Sequence, residues 1–176
     1  MNNYFNVLLD NLLLKKGPQD FPCSTVLMRF SLLINFIVGT LAYVGNVGFA
    51  SSALANAMGI FLLLLFIQLV LQAFSKPERF VQTITALASV GVVMQVVDIV
   101  LRTSFQYEPD QVETAEAAEM AGFLVLFLLL IIWNLIVYTH IFRQAFDVRL
   151  PAAVALTLCY IVISQLVIGS FFPGLS

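Results

Sequence analysis

Charge is what this chain has least of. Asp, Glu, Lys and Arg make up 10% of its 176 residues, where a soluble domain carries roughly 25%. So few charges cannot cover a water-facing surface, and the eight Lys and Arg residues form no stripe able to track phosphates, which argues against nucleic acid as a partner. Histidine is nearly absent. His140 stands alone, and a metal site would need further His, Cys or carboxylate ligands at suitable spacing, so no metal is expected. Cysteine is nearly as scarce: Cys23 precedes the first long apolar run and Cys159 lies well inside the last, so the two are not expected to form a disulfide. Nothing resembles H-E-x-x-H or a phosphate-cradling glycine loop, and no Ser-His-Asp set can be assembled. The expectation is a chain without cofactor and without enzymatic activity.

What is present is apolar surface. Hydrophobic residues reach 61% and mean hydropathy is +0.99. Five long apolar runs are predicted as helices near 25–44, 52–74, 80–101, 120–142 and 151–171. At 1.5 Å per residue, about 20 residues cross a hydrocarbon core of roughly 30 Å. The fold class expected is all-α: a polytopic membrane protein with a five-helix bundle over 24–176 and an N-terminal interfacial amphipathic segment over 1–23. The connections near 45–51, 75–79 and 143–150 are short, so consecutive helices should be antiparallel neighbours. Only 102–119 is long. There is no defensible internal repeat, and an odd number of spans argues against two inverted halves.

The N-terminal stretch 4–16 is too short and too polar to cross a bilayer. Phe5, Leu8, Leu9, Leu12 and Leu13 recur at helical spacing, which suits a helix lying in the interface with Lys15 and Lys16 at the membrane surface. Asp10 and Asn11 interrupt the apolar pattern, the bases follow it, and no small-residue cleavage site appears, so a cleavable signal peptide is not expected. Gly17-Pro18 should end the helix.

The few bases are segregated. Lys15, Lys16, Arg29, Lys76, Arg79, Arg143 and Arg149 all fall on one side of a five-span layout, and Arg102 alone on the other. Cytoplasmic loops retain Lys and Arg, so the N-terminus is expected in the cytoplasm, as in a bacterial inner membrane, and the C-terminus outside.

Inside the spans, small and polar residues should mark packed faces, because lipid tails give helices no hydrophobic reason to associate. In the third span Ala88, Gly91, Gln95, Asp98 and Arg102 step by three and four, with Ile84 extending the stripe. Asp98 is the only acid placed within a span, and an intramembrane carboxylate is a functional hypothesis by default. Arg102 follows one turn later, the favourable order for a helical pair. Asp98 with Gln95 and Arg102 is therefore the candidate polar site, read as a structural ion pair, as a proton- or cation-handling group or as a partner contact. Gln68 and Gln72 share a face of the second span; Trp133, His140 and the adjacent Asn134 mark the fourth; Thr157, Tyr160 and Ser164 mark the fifth. Gln68, Gln72, Trp133, Asn134, His140 and Tyr160 form the candidate packing or partner face. Glu108, Asp110, Glu113, Glu116 and Glu119 place five of the ten acids within twelve residues, suggesting a solvated helix that runs into the fourth span.

One stretch carries a resemblance. Trp133-Asn134-Leu135-Ile136-Val137-Tyr138-Thr139-His140-Ile141-Phe142-Arg143, followed by the small-residue start of the fifth span at Pro151 through Ala155, resembles the second half of bacterial Yip-domain proteins. Gly17-Pro18 ahead of the first span is similar to a Gly-Pro in that family's eukaryotic members, which bind Rab-type GTPases. This chain lacks their acidic-leucine lead and long cytosolic arm, so GTPase binding is not implied. What the resemblance implies is a compact, non-enzymatic five-span bundle.

The function expected from the sequence is a membrane scaffold or assembly partner, contacting lipid and either a second membrane protein or its own copy. The competing expectation is a small transporter or channel subunit built on the Gln95/Asp98 face.

Overall fold

The computed structural model describes residues 2–104 and 114–172 and, among them, contains helices and no strand. The helices are α1 (Asn2–Leu12), α2 (Thr25–Val47), α3 (Phe49–Ala73), α4 (Phe80–Ser104), α5 (Thr114–Phe146) and α6 (Leu150–Phe171). Five are long and apolar enough to cross a membrane. The chain is a polytopic α-helical membrane protein.

The helix ends follow from local chemistry. Ser24 caps α2, its Oγ accepting from the Leu27 N–H at 3.3 Å. At the end that carries the bases, called here the basic end, α1, α3 and α5 each finish with a non-glycine residue in the left-handed region: Leu14, Ser75 and Asp147. The following N–H reaches back over the turn, Lys76 to the Leu71 carbonyl at 2.8 Å and Val148 to that of Arg143 at 3.2 Å, which satisfies carbonyls the helix leaves open.

The turn between α2 and α3 differs from expectation. The sequence suggests a loop over 45–51, yet α2 runs to Val47, α3 begins at Phe49, and Gly48 alone connects them. Its φ of 79° and ψ of 164° belong to a region essentially restricted to glycine. Gly45, Asn46 and Ser51 read as loop by the rules of water-soluble chains, but helices in membranes tolerate small residues readily.

α4 is the hub. Half of its span is buried, against 6% for the span of α5. From Thr83 to Gly91 every side of the helix is covered, chiefly by α2, with α5, α3 and α1 completing the shell. α6 lies outside, against α5 and α3. Phe142 centres an aromatic cluster that joins three helices, with Phe66 of α3 at 5.9 Å, Tyr160 of α6 at 6.3 Å and Phe146 of α5 at 5.2 Å between ring centroids.

α1 does more than lie on the surface. Val7, Leu8 and Asn11 are buried against the bundle, while Phe5, Leu9 and Leu13 face outward. The apolar set expected to share one face is therefore split between the bundle and the membrane side. Asn11, an interruption in the sequence pattern, is fully buried and donates from Nδ2 to the Lys16 carbonyl at 3.0 Å. The Tyr4 hydroxyl meets Ser89 of α4 and, at 3.3 Å, Ser31 of α2, tying α1 to both spans.

Candidate functional site

Two polar regions are built by the fold, one at each end of the bundle. At the end of α4, Arg102 Nε donates to both carboxylate oxygens of Asp98, at 2.9 and 3.0 Å. The guanidinium also lies between two rings, 5.9 Å from the centroid of Tyr43 on α2 and 5.4 Å from that of Phe127 on α5. Such cation–π contacts strengthen when water is excluded. Asp98 is buried and Arg102 partly exposed, so the charge of the acid is answered by a base that is itself anchored on two neighbouring helices.

A seam of small and polar residues leads away from this pair between α2, α3 and α4. Asn35 Nδ2 donates to the Ala88 carbonyl at 3.1 Å, and Asn56 Nδ2 to that of Phe36 at 2.8 Å. Gly39 admits the amides of Asn56 and Gln95: a Cβ there would lie 2.6 Å from Asn56 Nδ2 and 2.8 Å from Gln95 Nε2. Gln95 Oε1, Thr40 Oγ1 and Ser52 Oγ are buried without a hydrogen-bond partner among the described residues.

Losing one partner of the Asp98–Arg102 pair should leave the other uncompensated. Asp98→Asn and Arg102→Gln are each expected to lower stability by about 1–3 kcal/mol, between the values for exposed and buried pairs. The double change should cost less than the sum of the two. Thermal unfolding of all four proteins in mild detergent checks the cycle, and strictly additive losses would remove the structural role of the pair.

The basic end holds the second region. The segment 14–21 folds back over the bundle as a clamp. Phe21 is buried against the core, 5.8 Å edge-on to Tyr4. Gln82 Nε2 of α4 donates to the carbonyls of Gln19 at 2.9 Å and Phe21 at 2.8 Å. Gly17 is needed for close approach, because a Cβ would sit 2.6 Å from Cδ of Gln144. His140 Nε2 lies 3.0 Å from both the Lys16 carbonyl and the Gln144 amide. Gln19 Nε2 in turn donates to Gln144 Oε1 at 2.6 Å, so a run of side chains joins the clamp through Gln144 to His140.

Arg79 donates to the carbonyls of Gln144 at 2.8 Å and Ala145 at 3.2 Å, capping the end of α5. Lys76 holds Asp147 at 2.8 Å, and this hydrogen bond and charge keep the Asp147 carboxyl below the ordinary carboxylate range. The contribution of that latch is therefore present above the unfolded carboxyl's pKa and is lost as pH falls through the lower folded value. Lys16 pairs with Asp10 at 3.0 Å, while Lys15 is exposed. The Arg143 side chain makes no hydrogen bond or ion pair among the described residues.

The remaining residues singled out by sequence disperse. Tyr160 belongs to the aromatic cluster. Gln68 and Asn134 are half-buried, Gln72 and Trp133 face outward, and the side chains of these four make no hydrogen bond among the described residues. Thr139 of α5 donates to Thr157 of α6 at 3.3 Å. Glu108, Asp110 and Glu113 lie outside the described residues, as do the side chains of Glu116 and Glu119. No group of three His, Cys, Asp or Glu suited to a metal ion occurs among the described residues.

The fold and both regions define a polytopic helical membrane protein fastened by intramembrane hydrogen bonds. Compared with family models, curated proteins and solved structures, the chain matches none.

Proposed function

We propose that the protein is a non-enzymatic scaffold or assembly partner in a membrane complex, related to the Yip-domain proteins that its 133–143 stretch resembles. The supporting observation is how its intramembrane polar groups are used. Asn35, Asn56, Tyr4, Ser89, Thr139 and Asp98 bond to neighbouring helices or to an adjacent base, so they fasten the bundle. The outer half of α5 supplies a surface for association: Leu124, Val125, Leu128, Leu129, Ile131 and Ile132 are all exposed around it. The charge asymmetry supports an inner-membrane orientation with the basic end in the cytoplasm and the C-terminus outside.

Crosslinking in native membranes followed by mass measurement in gentle detergent tests this reading. A discrete homo-oligomer or one stoichiometric membrane partner is expected, with contacts mapping to α5. Recovery of monomer alone would count against it. The unpartnered Gln95, Thr40 and Ser52 oxygens favour one second reading, a transporter or channel subunit whose path follows the seam to Asp98. That reading requires a proton- or cation-dependent flux that Asp98→Asn abolishes at unchanged expression.

A further inference from the structure

Two cavities meet at the basic end, and their chemistry changes from one to the next along α5. The first, about 470 Å³, is lined by Gln19, Arg79, His140, Gln144 and Asp147 and reaches Arg143 and Val148. The second, about 310 Å³, lies between Leu14, the α5 residues Leu135, Ile136 and Thr139, and the α6 residues Leu150 and Val154. His140 and Arg143 border both. From Arg143 back to Leu135 the helix rises about 12 Å, so the polar cavity sits at the helix ends and the apolar one extends from it into the membrane.

The charges in the polar cavity are unevenly committed. Asp147 is held by Lys76. Arg79 spends one nitrogen on the α5 carbonyls. Arg143, exposed at the boundary, keeps its whole guanidinium, and His140 engages Nε2 while Nδ1 has no partner among the described residues. A free guanidinium between a polar cavity and an apolar groove suits an amphiphilic anion, and a lipid phosphate with its headgroup fills the polar cavity of about 470 Å³ better than a fatty-acid carboxylate does.

We propose that this pair of cavities is a binding site for an anionic phospholipid, with the phosphate at Arg143 and Arg79 and one acyl chain along Leu135, Ile136 and Val154. A zwitterionic lipid is disfavoured, because the acid available to its cationic group is already paired with Lys76. A free phosphate would use the cationic half and leave the groove empty. The site does not depend on the scaffold reading; a monomer would hold the lipid equally.

The test uses the full chain in neutral detergent, with native mass spectrometry and thermal shift as readouts. Phosphatidylglycerol should bind about tenfold or more tightly than phosphatidylcholine, and millimolar inorganic phosphate should give no shift. Arg143→Gln should lose most of that preference and Arg143→Lys retain part of it. Ile136→Trp, which fills the groove at an already exposed position, should weaken phosphatidylglycerol binding. Equal retention of the two lipids by the unmodified protein overturns the proposal, without reliance on any variant. So does phosphatidylglycerol binding unchanged by Arg143→Gln and Ile136→Trp. A phosphate shift equal to that of the lipid would make the site one for a soluble anion and overturn the lipid assignment.

Discussion

Gly39→Leu is expected to destabilise the bundle by about 2–6 kcal/mol, while Gly45→Leu on the same helix leaves its stability nearly unchanged. Both glycines lie in α2, Gly39 within the helix and Gly45 in its last turn, and leucine is the better helix former at both. What differs is the neighbourhood. A Cβ at Gly39 would lie 2.6 Å from Nδ2 and 2.9 Å from Cγ of Asn56, and 2.8 Å from Nε2 of Gln95, whereas one at Gly45 meets nothing within 4 Å. A leucine at position 39 must therefore push two amides from the junction of α2, α3 and α4. Overpacking of this kind costs about 1–3 kcal/mol. An amide left unpaired adds about 1–3 kcal/mol, because displaced Asn56 loses the Phe36 carbonyl. Against a total stability of about 5–15 kcal/mol, the combined loss should be plain in denaturant or thermal unfolding in mild detergent. Equal midpoints for the two variants would mean that the three-helix junction is not where the bundle is held together.

Phe21→Ala should have the second large effect, and a more local one. Phe21 is among the most buried side chains of the protein, yet it lies before the first span, at the basic end of the bundle. There water rather than lipid competes for the exposed ring, so the full hydrophobic term applies, and truncating a buried Phe costs about 3–5 kcal/mol. The loss should fall on the clamp 14–21 before the spans, since the Gln82 bonds to the Gln19 and Phe21 carbonyls depend on the same docking. Trypsin reports this directly. Lys15 and Lys16 lie in the clamp, and the Lys16 carbonyl is held by Asn11 and His140. Cleavage there should be about tenfold or more faster in Phe21→Ala than in the unmodified protein. An unchanged cleavage rate with a lowered midpoint would place the role of Phe21 in the bundle core instead.

The five spans were legible because an apolar run of about 20 residues has few alternatives in water or lipid. The Asp98–Arg102 adjacency was legible too, since both residues sit on one helix and helical spacing is known in advance. The clamp was not. Gln19, Gln82 and Gln144 are single polar residues in three separate segments, and no periodicity relates them; only the fold brings them within hydrogen-bond reach. The centrality of α4 was half legible: its small and polar stripe stands out, but a helix covered on all sides from Thr83 to Gly91 has no exposed face to give it a one-sided pattern. The loop expected over 45–51 shrinks to Gly48, because Gly, Asn and Ser punctuate soluble chains, whereas Gly45, Asn46 and Ser51 are here helical residues around one sharp reversal.

That reversal also bears on biogenesis. With one residue between α2 and α3, the two helices have no tether that would let the first settle in the bilayer while the second waits outside. They are expected to leave the insertion machinery as a single hairpin whose tip carries no charge. Lengthening the tip with a flexible insert would uncouple the two steps. The sensitive quantity would then be the yield of correctly threaded chains during synthesis, before the stability of the finished bundle comes into play.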